Sequence, residues 1–163
     1  MFVPFDELPA NSRVWIYPLN RPLPNTREKE TEAALVEFIR QWQAHGQHLK
    51  ASCCIALHRF IVLATDETFC APSGCAIDRS VQAVNQIARN AGLEIMDRGH
   101  IFFVLNNTIL PVPVQEIKKS LENGIWNAET PVFDTTVTTR QEFMNNPLPA
   151  RNTWLNRYLK VSV

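Results

Sequence analysis

Two pairs of short β-type runs, each pair broken by only two residues, constrain this chain more than any other feature. Residues 52–57 and 60–65 are separated by His58-Arg59, and residues 101–105 and 108–112 by Asn106-Asn107. Connections that short join neighbouring antiparallel strands, so two hairpins are predicted, the first without a Gly or Asn to ease its turn. Between and around them lie helical patterns. Leu35, Phe38, Ile39 and Trp42 recur at i, i+3, i+4 and i+7, with Asn25 placed to cap and Gly46 to stop, which predicts an amphipathic helix over 27–45. Ile77, Val81, Val84, Ala88 and Ala91 line one side of a second helix that starts beside Cys75 and ends near Gly92. Its Val81, Val84 and Ala88 face is expected to pack on the sheet.

Further strands are expected at 13–17, 93–96 and 132–138. Pro113 is placed to open a short helix carrying Val114, Ile117 and Leu121, stopped by Asn123-Gly124, and another helical stretch falls at 140–145. Trp154, Leu155 and Tyr158 are expected to anchor the closing segment. The order β-α-β-β-α-β-β-α-β favours an α+β fold over a doubly wound parallel sheet. A single domain over 1–163 is expected, with a mixed, mostly antiparallel sheet and two to four helices packed on it.

Hydrophobic residues make up 45% of the 163 positions and charged residues 20%, enough apolar surface for a packed core. Sixteen basic and sixteen acidic side chains cancel, so no global field draws the chain to nucleic acid or an acidic membrane, and neither is expected as a partner. The same neutrality permits a homodimer. No apolar run approaches the roughly 18 to 20 residues that cross a bilayer, and Asp6 and Glu7 interrupt any leader-like start, so a cytoplasmic location with Cys53, Cys54, Cys70 and Cys75 reduced is expected.

The spacings that announce common chemistries are missing. Five glycines provide no phosphate-binding loop, and there is no G-x-G-x-x-G, G-x-S-x-G or H-E-x-x-H. Cys53 and Cys54 are adjacent, and Cys70 and Cys75 have no partner pair at ligand spacing, so no metal and no cofactor are expected. One segment stands out, Ser73-Gly74-Cys75-Ala76-Ile77-Asp78-Arg79-Ser80. A cysteine at a helix start meets unpaired N–H groups and a positive partial charge, both of which favour a thiolate, and Arg79 adds to them. Asp78 opposes them. In the competing reading Gly74 only makes the turn, Asp78 or Ser80 caps the helix, and Cys75 is a small buried hydrophobe. Asp66-Glu67 past one strand and Asp97-Arg98 ahead of another are candidate acids, bases or orienting groups. The plainer alternatives are a solvated loop and a local ion pair. Among the histidines His100 is the first candidate proton shuttle, while His45 is explained by a helix C-terminus.

Trp42-Gln43-Ala44-His45-Gly46, Arg59-Phe60-Ile61-Val62-Leu63 with Asp66-Glu67, the Ser-Gly-Cys-x-x-Asp-x-Ser-Val block at 73–81 and Asp97-Arg98 together resemble a family of small bacterial proteins often labelled "ABC transporter ATPase" by automatic annotation. The resemblance runs over most of the chain and implies no established activity. Arg79 stands where that pattern has a small polar residue. The label itself conflicts with the residues, because both the phosphate-binding loop and the ABC signature are missing.

Two functions remain. The preferred one is a non-catalytic domain that binds a small ligand or a protein through Ser73, Gly74 and Cys75, with Asp66, Glu67 and His100 as further contacts. The alternative is a thiol-dependent enzyme or redox protein in which Cys75 acts with Asp78, Ser80, Asp97 and Arg98. Purified protein given ATP and magnesium is expected to release no phosphate above background. Turnover abolished by a point substitution in this chain would restore the ATPase label.

Overall fold

The computed structural model describes residues 1–160, and its ladders are antiparallel. Its contacts gather into two compact units within the 1–163 span, Met1–Met96 with Thr136–Phe143, and Asp97–Thr135 with Met144–Val163. The α+β class holds, and the strands divide among three sheets.

In the first unit β1 (Arg13–Pro18), β4 (Ala51–Ala56) and β5 (Phe60–Thr65) form a sheet of order β1-β5-β4. Every residue of the central β5 is buried. The register places Trp15 opposite Leu63 and Leu63 opposite Cys53, so odd-numbered residues of the three strands share one face. Against that face pack α1 (Asn25–Gln41) and α2 (Gly74–Asn90), through a core that includes Leu35, Ile39, Trp42, Ile61, Leu63, Ala76, Val84 and Ala88. The β4–β5 turn lacks glycine, and Leu57 and His58 both take φ of 52°, a conformation that costs a branched side chain.

Five expectations need correction here. Helix α1 ends at Gln41 rather than 45, and its first residue is Asn25, preceded by Pro24 with no side-chain cap. The residues beyond it form β2 (Gln43–Ala44) and β3 (Gln47–His48), a small hairpin with His45 at φ 52° and Gly46 at φ 76°. His45 therefore sits in a turn, away from the helix C-terminus expected for it. Residues 93–96 supply only an isolated bridge between Leu19 and Ile95. Val81, expected on the buried face of α2, is 40% exposed. The buried stripe is Ala76, Ser80, Val84 and Ala88, and Val81 stands about 100° round the helix from Ser80.

Helix α2 is well specified at both ends. Ser73 Oγ accepts the Ala76 N–H at 3.2 Å, and at the other end Gly92 at φ 75° donates to Arg89 O while Leu93 donates to Ala88 O, a Schellman closure.

In the second unit β6 (His100–Leu105), β7 (Thr108–Pro113), β8 (Pro131–Phe133) and β9 (Leu148–Pro149) form a sheet of order β7-β6-β8-β9. The Asn106-Asn107 turn has both residues at positive φ, as a two-residue hairpin requires. Its core joins α3 (Ile117–Glu122) to the sheet. Phe103 and Trp126 stack with centroids 5.3 Å apart, and the Trp126 N–H donates to Ile117 O at 3.0 Å. The last long strand is shorter than the 132–138 expected, because 134 onward leaves the ladder. The remaining helices are α4 (Arg140–Met144) and α5 (Asn156–Leu159), which makes five α-helices among the described residues where two to four were expected.

Burial of α2 sets a direct test. Val84→Ala is expected to lower unfolding free energy by roughly 2 kcal/mol in urea denaturation, from lost transfer energy and the cavity left behind. Val81→Ala is expected to stay within about 0.5 kcal/mol. Equal losses at the two positions would contradict this packing.

Candidate functional site

The segment 73–80 opens α2, and its residues divide sharply by environment. Ser73 is the cap that was assigned to Asp78 or Ser80. Ser80 is buried, donates to Ile77 O at 2.6 Å and lies 3.4 Å from the Tyr17 hydroxyl, so it belongs to the interior. Cys75, Asp78 and Arg79 are exposed, and neither charged side chain makes an ion pair among the described residues. A buried, hydrophobe-like Cys75 is thus corrected to an exposed one. Around Gly74 the space is open, with no atom within 4 Å of where a Cβ would stand. Among the described residues the N–H groups of Gly74 and Cys75 find no acceptor, as the first-turn donors of a helix do unless something caps them.

Asp66 has a structural task. It is buried, and its Oδ1 accepts both the Thr68 hydroxyl at 2.5 Å and the Thr68 N–H at 3.1 Å, while Oδ2 meets Lys50 Nζ at 3.2 Å. The Thr68 hydroxyl, with help from Lys50 and the Thr68 N–H, holds this carboxyl below the usual range against the opposing effect of burial. Its own carbonyl accepts from Phe69 at 3.2 Å and Cys70 at 3.4 Å. The loop to α2 is therefore tied down at Asp66, and it presents Phe69 at 53% exposure to solvent while Cys70 packs on the core. Glu67 forms an exposed pair with Arg13 at 3.5 Å.

Asp97, Arg98 and His100 lie in the second unit. The expected Asp97–Arg98 pair is replaced by Asp97 with His100, Oδ1 to Nδ1 at 3.1 Å. The Gly99 N–H at 2.9 Å, and after it His100, hold the Asp97 carboxyl below its ordinary range. Arg98 is exposed.

Within the first unit the sulfur of Cys75 receives no help. Among the described residues no hydrogen bond or ion pair joins it to Asp66, Glu67 or Asp78, and no imidazole bonds to it. Nor do any three His, Cys, Asp or Glu side chains among the described residues gather as metal ligands. Compared with known proteins, the chain matches no family model, no curated protein and no solved structure.

Phe69 was not singled out by the residues. Its only signal was an aromatic stranded in a polar loop between Asp66 and Gly74. No helix among the described residues is long and apolar enough to cross a membrane.

The four thiols should separate chemically. Burial, followed by the charge of Glu32, pushes Cys53 up to about 12. Cys54 reaches about 12 as well, through burial, then Cys53, then Glu32. Iodoacetamide at pH 8 is expected to label Cys75 first in the native protein, and Cys53 and Cys54 only after denaturant, as read by peptide mass mapping. Labelling of Cys53 ahead of Cys75 would contradict the exposures described.

Proposed function

We propose that this protein is a non-catalytic binding domain whose recognition edge is the start of α2, where an acceptor group of a ligand or partner chain meets the N–H groups of Gly74 and Cys75 and the exposed ring of Phe69. The observation that carries this reading is the pair of open donors at Gly74 and Cys75, beside a loop held in place by the buried Asp66. Helix N-termini attract negatively charged or carbonyl oxygen, because unsatisfied N–H groups and the helix dipole point the same way. Phe69, exposed in the loop that leads into α2, offers apolar contact of the kind that anchors interfaces. The absence of any base bonded to Cys75 among the described residues favours binding over thiol catalysis.

The thiol reading keeps one observation in its favour, since Cys75 is exposed while Cys53, Cys54 and Cys70 are half-buried. It requires a base brought by a partner or substrate.

Gly74→Pro separates the two. Proline suits the first position of a helix and removes the Gly74 donor without touching the thiol. In an NMR titration with phosphate and with acetate, the wild type is expected to show saturable amide shifts at Gly74, Cys75 and Ala76, and Gly74→Pro to lose most of them while retaining its fold and Cys75 alkylation. Shifts that are absent in the wild type, or unchanged in the variant, would end the binding proposal.

A further inference from the structure

The second opportunity lies on β4, and it uses none of the residues at the start of α2. β4 is a border strand of its sheet. Ala51 turns its main-chain groups away from β5, receiving the Val3 N–H at its carbonyl and donating its own N–H to Met1 O, both at 3.0 Å. Main-chain direction alternates along an antiparallel strand, so Cys53 and Ile55 turn theirs outward as well, while Ser52, Cys54 and Ala56 serve the ladder with β5. The N-terminal segment stops pairing with the strand at Pro4, which has no N–H to offer, although the 3-10 turn Phe5–Glu7 that follows still lies against β4. Among the described residues the outward N–H and C=O groups of Cys53 and Ile55 have no main-chain partner.

The borders of the other long sheet are treated differently. On β7 the outward positions include Pro111 and Pro113, because Val114, on the alternate set, donates to Gly99 O. On β9 the outward position is Pro149, since Ala150 donates to Thr130 O. Proline at such positions blunts an edge against added strands. β4 carries no proline.

A row of acids runs beside it. Helix α1 packs on β4 and places Glu28 and Glu32 one turn apart. Glu28 Oε2 lies 2.8 Å from His58 Nδ1 at the turn end of the strand. Glu32 sits close enough to Cys53 and Cys54 for its charge to oppose thiolate formation at both. Four helical residues advance about 6 Å, and two strand residues about 6.8 Å, so this row matches alternate side chains of a strand laid along β4.

We propose that β4 accepts an extended segment of another protein as an added strand, pairing main chain to main chain at Cys53 and Ile55, with Lys or Arg at alternate positions facing Glu28 and Glu32. A second copy of this chain fits less well, because it would bring two such acidic rows side by side.

The test uses the full chain and synthetic peptides of about six residues, a usual strand length. One alternates valine with lysine, one alternates valine with glutamate, and one is the lysine peptide N-methylated on alternate amides. In the free protein the Cys53 and Ile55 amides are expected to exchange faster than those of Cys54 and Ala56, and to slow when the lysine peptide is bound. The lysine peptide is expected to bind, the glutamate peptide not to bind, and N-methylation or Ile55→Pro to weaken binding by about five- to tenfold, as the loss of a main-chain hydrogen bond would. Glu32→Gln is expected to weaken it less. Equal protection of Cys53, Cys54, Ile55 and Ala56 in the free protein would overturn the proposal. So would binding indifferent to N-methylation of the peptide, a result that does not depend on how well Ile55→Pro folds. A concentration-dependent dimer in sedimentation that protects Cys53 and Ile55 by itself would assign the edge to a second copy instead.

Discussion

The indole N–H of Trp42 organises the first unit. It donates to the carbonyl of Ala76 at 2.8 Å, from a side chain that is almost wholly buried. The same ring meets Trp15 of β1 at 6.0 Å and Phe38 of α1 at 5.4 Å. A buried indole N–H left unpaired would cost about 1–3 kcal/mol, so the first turn of α2 is held where that bond forms. Everything exposed at the start of α2, from Gly74 to Asp78, takes its place from this contact and from the Ser73 cap.

Patterns that repeat over several turns were legible from residues alone. The α1 and α2 stripes, both hairpins and the antiparallel α+β class follow from periodicity and connection length, because burial on one face imposes them. The ends of α2 were legible, and the end of α1 and the small hairpin beyond it were not. The apolar i, i+3, i+4 series included Trp42, yet Trp42 lies beyond the end of α1, its N–H committed to α2. Gln43–Ala44 and Gln47–His48 carry no alternation at all, and their hairpin is closed by His45 and Gly46 at positive φ. Val81 was misplaced because a valine and a serine one residue apart compete for the same face, and hydrophobicity alone favours the wrong one. Ser80 wins because Ile77 O and Tyr17 accommodate its hydroxyl inside.

The environments of the candidate residues were misjudged from spacing. The 73–80 block is where an exposed thiol and open donors coincide. Asp66, read as a possible acid or base, spends its oxygens on Thr68 and Lys50, and that use is invisible without knowing which strand Lys50 adjoins. Asp97 likewise turns to Gly99 and His100 instead of Arg98. Short polar side chains near glycines or threonines find local N–H partners first, which is a competition that spacing does not rank.

The prolines of β7 bear on the history of the chain as well as on its finished form. The β6–β7 hairpin is local in sequence, closed by Asn106 and Asn107 in the left-handed region, and elements of that kind close within microseconds, ahead of contacts between distant segments. A hairpin that forms early spends that interval with a bare flank in a crowded solution. Pro111 and Pro113 leave Ile109 as the main outward donor on that flank. Nascent copies meeting side by side would find almost nothing there to zip together, so the safeguard acts before the native structure exists.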